Sequence, residues 1–298
     1  MLIVGSIAFD DIKTHKKSVK TVVGGSASYA AVAASYFARP KLVGVVGTDF
    51  TKKHLAPFKN RKVNLDSLQI KKGKTFAWAA SYDADFKNAT TLSTKLNVFE
   101  NFTPKLSPQA AKCPAAFLAN IEPKLQLAVL EQMQNPRLVV CDTMNFWITH
   151  AKKDLLKLLK RVNILLVNEE EARQLTSIHN LIKAGKAILK LGPQMVVVKL
   201  GPNGALLINK DTMRQIPPYL IEEPVDTTGA GDSFGGGFTG FLASTKNWAD
   251  IKNIKKALAV GTVMASFAIE NFSITKLAQL DKKTIDSRLK TYKKMTSF

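Results

Sequence analysis

The chain has 298 residues and 46% hydrophobic content, enough for a substantial core in one large α/β domain or two small ones. Its 43 basic and 23 acidic residues give a formal charge of +20, but the lysines are scattered and no zinc-finger spacing or recognition motif accompanies them, so a solvated surface that steers anionic ligands is preferred over a nucleic-acid binder. Met1 to Gly5 lacks the basic region of a signal peptide, Ala257 to Ile269 is too short to span a bilayer, and Cys113 and Cys141 fit no metal or redox spacing; a soluble cytoplasmic protein with buried thiols is expected.

Leu2 to Ile7 reads as a buried strand, with Asp10-Asp11 beyond its end. Ligands of open α/β sheets bind past the carboxyl ends of strands, so Asp10 is a candidate for holding substrate hydroxyls; a turn aspartate is an equal alternative. Ile12 to Val23 is polar, basic and partly alternating, as in an exposed strand pair. Gly24-Gly25 open an alanine-rich helix to about Phe37, which suits either close backbone approach to a ligand or tight helix–sheet packing. Lys41 to Val46 is a strand ending at Gly47-Thr48-Asp49, and a helix covers about Thr51 to Asn60. From Leu65 to Val98 short alternating runs appear, with polar turns around Asp83 to Ala89. They predict a small antiparallel sheet that pairs with 12–23 and forms a lid able to exclude water.

From Ala115 strands and helices alternate: strands over Ala115 to Ala119, Arg137 to Cys141 and Asn163 to Val167, helices over Pro123 to Met133 and Ala151 to Lys160. That alternation implies a parallel sheet with right-handed crossovers. Asn120, Asp142, Asn145, Asn168 and Glu171 fall just after strands, at one edge. Each alone reads as a cap or turn residue, and Asn168 with Glu171 has the form of a capping box. Gln194 to Leu200, the Gly201-Pro202-Asn203-Gly204 turn and Ala205 to Ile208 read as a hairpin, giving the sheet an antiparallel edge. Ile251 to Ile269 is a helix with small residues, and a lysine-rich amphipathic helix or frayed end follows Asp281.

The stretch Val225 to Gly237 organises the rest. Gly229-Ala230-Gly231 form a small-residue turn, and Phe234, Phe238, Phe241 and Leu242 then follow helical spacing. A glycine turn opening a helix presents unpaired N–H groups and the positive end of the dipole to an anion. Asp232, in the first turn, reads equally as a helix cap or as a general base. Gly235-Gly236-Gly237 give up about 3 kcal/mol of helix propensity, which fits a place where something packs very close. Gly231 to Gly235 matches G-x-S-x-G, but no His follows Ser233, as that triad order needs. Gly235 to Gly240 matches G-x-G-x-x-G, but inside a helix rather than at a strand-to-helix turn.

Asp226-Thr227-Thr228-Gly229-Ala230-Gly231-Asp232 resembles the D-T-x-G-A-G-D motif of the ribokinase-like (PfkB) carbohydrate kinases. Gly24-Gly25 resembles that family's N-terminal glycine motif, Val43 to Asp49 its V-G-x-V-G-x-D segment, Asn168 to Glu171 its N-x-x-E motif, and Val196 to Gly204 its V-x-x-L-G-x-x-G turn. The resemblance implies a three-layer α/β/α sandwich with a mostly parallel central sheet and a small β-sheet lid. It implies one such domain over residues 1–298, with lid strands at about 12–23 and 65–98. The implied activity is a Mg²⁺-ATP-dependent kinase acting on a sugar-like alcohol. Asp232 would take the proton from the attacking hydroxyl, and the backbone of Gly229, Ala230 and Gly231 would form the anion hole. Asn168 and Glu171 would organise Mg²⁺ and phosphates through water. Lys199, Gly201, Gly204 and Thr228 would border the nucleotide. Asp10, Gly24, Gly25, Tyr29, Asn120 and Asn145 would face a small polyhydroxylated substrate. A monovalent cation and a homodimer through the lid are further expectations; a membrane or nucleic-acid partner is not. No Walker A sequence is present, so the glycine turn must cradle the phosphate.

The sequence departs from the family at two places. Many members have Asn where this chain has Tyr29, and the family's D-x-N-x-R segment is only echoed by Asp142 to Trp147, without the Arg. Aromatic residues at Tyr29, Phe146 or Trp147 could stack on a sugar face or a nucleobase, so an adenosine-like nucleoside kinase stands beside the sugar kinase.

Overall fold

Apolar runs at regular intervals set the architecture. The structure is a computed structural model that describes residues 1–15, 17–83 and 89–297. Its strands are β1 (Leu2–Val4), β2 (Ala8–Lys13), β3 (Ser18–Gly24), β4 (Lys41–Gly47), β5 (Asn64–Lys71), β6 (Phe76–Tyr82), β7 (Ala89–Lys95), β8 (Ala115–Leu118), β9 (Leu138–Asp142), β10 (Ile164–Asn168), β11 (Met195–Lys199), β12 (Ala205–Asn209) and β13 (Met213–Ile216). The large sheet runs in the order β13-β12-β11-β10-β9-β8-β1-β4-β5. From β5 to β11 every pairing is parallel, and β12 and β13 add the expected antiparallel edge.

The central parallel strands are covered on both faces, which is why they read as continuous apolar runs. Successive side chains still point to opposite sides. Ile3, Phe117, Val140 and Leu166 enter one core, shared with the helices Ser26–Ala34, Ala230–Ser244 and Ile251–Ala268. Leu2, Val4, Leu118, Val139 and Leu165 enter the other, shared with the helix Lys152–Leu159. The outcome is the three-layer sandwich. No helix among the described residues is long and apolar enough to cross a membrane.

A second sheet, β3-β2-β6-β7, stands apart as the lid. Here the sequence expectations need correction. The strand expected over Leu2 to Ile7 stops at Val4. The sheet pairing breaks at Gly5-Ser6, where a Cβ on Gly5 would stand 2.6 Å from Ser26 Oγ, and Ser6 and Ser26 exchange hydrogen bonds of 3.1 and 3.0 Å. Asp10 therefore lies within lid strand β2, not past the end of a main-sheet strand. The segment from Leu65, expected in the lid, is β5 of the large sheet, where Leu65 and Leu68 pack on the core. The central lid pairing, β2 with β6, is parallel rather than antiparallel. The reason is topological: β2 continues from β1 and β6 from β5, two parallel strands, so both enter the lid in the same direction. The turn expected around 83–89 falls largely outside the described residues.

The lid has its own small core of Ile12, Ala80 and Phe272, with Val19, Trp78, Tyr82 and Val225 packed against it. Phe272 and Val225 belong to the body, so the lid rests directly on the approach to the glycine turn.

The glycine triplet has a packing explanation. A Cβ on Gly235 would lie 2.3 Å from Phe117 Cζ, one on Gly236 2.3 Å from the Ala30 carbonyl oxygen, and one on Gly237 2.8 Å from Met264 Cγ. The body of the protein, not a ligand, makes the close approach. The triplet lets one helix press at once on β8 and on both neighbouring helices, which fixes where its N-terminus opens.

Candidate active site

The helix Ala230–Ser244 begins at Gly229, whose φ of 74° is left-handed and favours glycine. A Cβ there would lie 2.3 Å from Tyr29 Cγ, so the turn is laid against the buried Tyr29 ring. No side chain caps this helix. Asp232 does not occupy the N-cap position, and its carboxylate accepts from its own first-turn backbone N–H. The amides of Gly229 and Gly231 have no acceptor among the described residues, whereas that of Ala230 donates to the Thr227 carbonyl at 3.2 Å. Two of the three amides expected to form an anion hole are therefore open.

Charged groups from neighbouring strand ends converge on this turn. Lys199 closes β11, and its Nζ donates to both carboxylate oxygens of Asp142, the last residue of β9, at 2.9 Å each. A Cβ on Gly231 would lie 3.2 Å from the same Nζ, which places the ammonium beside an open amide. Burial pushes the half-buried Asp232 carboxyl up to about 7, Asp142 adds to the shift, and Lys199 opposes it. Burial would lower the Lys199 pKa, but Asp142, Glu171 and Asp232 outweigh that and leave it raised. Burial also raises Glu171, against the pull of Lys199.

Asn168 and Glu171 form the capping box of the helix Glu169–Thr176: Glu171 N–H donates to Asn168 Oδ1 and Asn168 N–H to Glu171 Oε2, each at 2.7 Å. The local capping pattern and the placement near Lys199 hold together. Gly201 is exposed in the turn after β11 with nothing close to it, while a Cβ on Gly204 would sit 2.0 Å from the Ile216 carbonyl oxygen. Gly204 thus serves backbone packing against β13.

Asp10 arrives from the lid. It is 2% exposed, and a Cβ on Gly24 would lie 1.8 Å from its Oδ2. Burial pushes its carboxyl up to about 8, with Asp226 adding to the shift and a hydrogen bond from the Gly25 amide opposing it. Tyr29, expected to face the substrate, is 2% exposed and instead underlies Gly229. Burial, then Asp10 and Asp226, hold its hydroxyl well above the usual tyrosine range. Asp226 Oδ1 accepts from Thr228 N–H at 2.9 Å, while its Oδ2 is buried with no hydrogen-bond partner. Thr228 Oγ1 donates to the Tyr82 hydroxyl at 3.0 Å. Asn120 Oδ1 accepts from Trp147 Nε1 at 2.9 Å, and its Nδ2 donates to Met144 Sδ at 3.2 Å. Half-buried Asn145 opens the next helix, Asn145–His150.

Sequence reasoning placed Asp142 at the functional edge without a role, and left Asp226, Tyr82 and Met144 out of the site. Asp142 had a usable signal, an acidic residue ending an apolar run. Asp226 lay inside the motif itself. Tyr82 had no local signal, since its partner is 146 positions away.

The raised carboxyls link stability to pH. Asp10 keeps its proton in the fold up to about pH 8, well above the range in which an unfolded aspartate loses it. Between about pH 4 and 8 the folded state therefore binds more protons, and stability falls as pH rises. The slope is about 1.4 kcal/mol per pH unit for each such group. The melting temperature of the ligand-free protein is expected to drop between pH 5 and 8.5, and less so in Asp10→Asn. Equal slopes in the two proteins would mean that Asp10 titrates normally.

A profile of the pfkB family carbohydrate kinases matches residues 2–279. The chain is 28% identical over 244 residues to a cytidine kinase of Thermococcus kodakarensis, covering 80% of this chain and 86% of that protein. It is 24% identical over 255 residues to a nucleoside kinase of Methanocaldococcus jannaschii, covering 85% and 81%. It is 25% identical over 283 residues to a ribokinase of Lactococcus lactis, covering 91% and 88%. The fold is similar to the crystal structure of the M. jannaschii nucleoside kinase, with a TM-score of 0.77 at 20% identity over 97% of this chain and 98% of that one. It is equally similar to Arabidopsis thaliana ribokinase complexed with ribose and ATP, with a TM-score of 0.78 at 21% identity over 97% and 98%. With the profile spanning nearly its whole length, the chain belongs to the pfkB family of carbohydrate kinases, and it is a phosphotransferase whose acceptor is a hydroxyl of a sugar or nucleoside.

Proposed function

We propose that the protein transfers the γ-phosphoryl group of ATP to a hydroxyl of a nucleoside, with Asp232 as general base and the amides of Gly229 and Gly231 as the anion hole. The observation that carries this reading is a half-buried carboxyl poised at about 7 in the same helical turn as open amides. A general base works best when its pKa lies near the operating pH. Asp232 accepts the proton of the attacking hydroxyl as the new O–P bond forms and ADP leaves. Phosphoryl transfer needs mainly in-line positioning and charge stabilisation. The two amides, with Lys199 beside them, are the preorganised donors for that charge. Lys199, Gly201 and Thr228 border the nucleotide in this scheme, and Asp10, Gly24 and Gly25 hold acceptor hydroxyls.

The donor set fits magnesium carried in on the nucleotide. Asn168 and Glu171 suit an ion that keeps its waters and binds phosphates. When bound, the ion neutralises phosphate charge; Glu171, with Oε2 used by the capping box, would meet its waters through Oε1. The buried, unpartnered Asp226 Oδ2 fits a monovalent cation. An exposed outer lid strand, β7, with Leu92 60% exposed, supports a homodimer through the lid. The free buried thiols Cys113 and Cys141 support a reducing, cytoplasmic setting.

The acceptor class rests on the wall past β8 and β9. Met144 and Phe146 are 37% and 49% exposed, and Trp147 is held by Asn120. The Asn120 carbonyl accepts from Ser26 Oγ at 3.0 Å, and Ser26 follows Gly25, whose amide donates to Asp10. The wall and the hydroxyl-holding aspartate thus share one scaffold. Flat apolar surface beside a few fixed polar groups suits a nucleobase, and two of the relatives are named as kinases of cytidine and of nucleosides. An ADP-release screen over ribose, fructose, cytidine, inosine and adenosine, with products verified by mass spectrometry, tests this. Turnover with nucleosides well above that with free ribose is expected; turnover with free sugars alone would overturn the nucleoside assignment.

A further inference from the structure

Tyr82 ends β6 in the lid, yet its hydroxyl is held by the loop that leads into the anion hole. Thr228 Oγ1 donates to it at 3.0 Å, and the Thr227 side chain also hydrogen-bonds it. Both threonines immediately precede Gly229. Two further contacts seat the lid on the same part of the body. Val225, just before Asp226, packs against the same lid core as Tyr82, and its N–H donates to the Ile269 carbonyl at 2.8 Å. Ser273 Oγ donates to the Val23 carbonyl of β3 at 2.5 Å. The phenol is pushed up to about 12, by burial first, so it is neutral at physiological pH and acts by hydrogen bonding rather than by titration.

The turn needs such support. Gly229 is in a left-handed conformation with no side-chain cap, so the direction of its amide depends on the residues before it. From within the body, Asp226 Oδ1 fixes the Thr228 backbone at 2.9 Å. The Thr228 side chain is fixed by Tyr82, which belongs to the lid.

We propose that Tyr82 is a positioning residue for phosphoryl transfer: with the lid seated, its hydroxyl fixes Thr227 and Thr228 and thereby aims the open amides of Gly229 and Gly231. The proposal rests on the reading that those amides receive the transferring group. Its consequence is that the anion hole is fully formed only under a seated lid, when water is excluded, so that phosphoryl groups pass to the acceptor rather than to water.

Tyr82→Phe keeps the ring and its packing and removes only the hydroxyl. With cytidine as acceptor, kcat is expected to fall about tenfold, the kinetic scale of one hydrogen bond, while KM for cytidine changes less than about twofold. The ratio of ATP hydrolysed to acceptor phosphorylated is expected to rise several-fold. Tyr82→Phe combined with Thr228→Val should be no slower than the worse single variant, because the two groups act as one unit. A residue that only stabilised the lid would not be coupled to Thr228, and its effect would multiply with that of Thr228→Val. Amide exchange over residues 225–231, read by mass spectrometry on the ligand-free protein, should accelerate in Tyr82→Phe. That readout needs no acceptor, so it judges the lid contact even if the nucleoside assignment fails. Wild-type kcat and wild-type exchange in Tyr82→Phe, or effects that multiply in the double variant, would overturn the proposal.

Discussion

Asp232→Asn is expected to lower kcat by about 10² to 10⁴, the usual scale of general-base catalysis, while ATP affinity stays within a few-fold. The substitution is well suited to the question. Asn has the same shape, and no helix cap is lost, because Gly229 occupies that position without a side-chain cap. The variant also removes a carboxyl whose charged form the fold disfavours, so its stability at pH 8 should match or exceed wild type. Calorimetric titration with an ATP analogue separates binding from chemistry. The wild-type rate should fall as pH drops below about 7, since only the deprotonated carboxylate can accept the proton. Turnover within tenfold of wild type in Asp232→Asn would show that another group takes it.

Lys199→Met is expected to cost about 3 to 5 kcal/mol of stability, the scale for breaking a buried ion pair from one side. The Asp142 side chain is only 4% exposed, and the lysine supplies both of its 2.9 Å ionic contacts. Glu171 and Asp232 would lose the same cation. The cost comes from stranding buried carboxylates rather than from the net worth of the pair, so pairing the change with Asp142→Asn should restore a large part of it. Urea unfolding at pH 7.5 measures this directly, provided the m-value is unchanged. A loss below about 1 kcal/mol would place the pair in the class of surface salt bridges. Nucleotide affinity should fall as well, since the ammonium lies beside the Gly231 amide.

Much of this site could be read from local sequence. The apolar runs Arg137 to Cys141 and Asn163 to Val167 mark parallel strands, and polar residues just past strand ends mark a candidate functional edge. The Gly229-Ala230-Gly231 turn predicts open amides, and two of the three have no acceptor among the described residues. What could not be read was which neighbour each small residue accommodates. Gly236 faces the Ala30 backbone and Gly229 faces the Tyr29 ring, and those pairings are created by the crossing of two helices far apart in sequence. Tyr29 shows the same limit: its place in the family pattern put it in the pocket, whereas helix packing buries it under the turn. The strand Asn64–Lys71 alternates as a lid strand would, but its partner is β4, and pairing partners are not encoded in alternation. Asp10 reaches the cluster from the lid, not from past the end of a main-sheet strand as its place in the sequence suggests.

The most direct measurement is a crystal structure of the protein with a non-hydrolysable ATP analogue and its best acceptor. The predicted result is an acceptor hydroxyl within hydrogen-bond reach of the Asp232 carboxylate, about 2.6 to 3.2 Å, with terminal phosphate oxygens against the amides of Gly229 and Gly231. An acceptor hydroxyl bound elsewhere, with Asp232 facing only solvent and both amides bonded to protein, would contradict it.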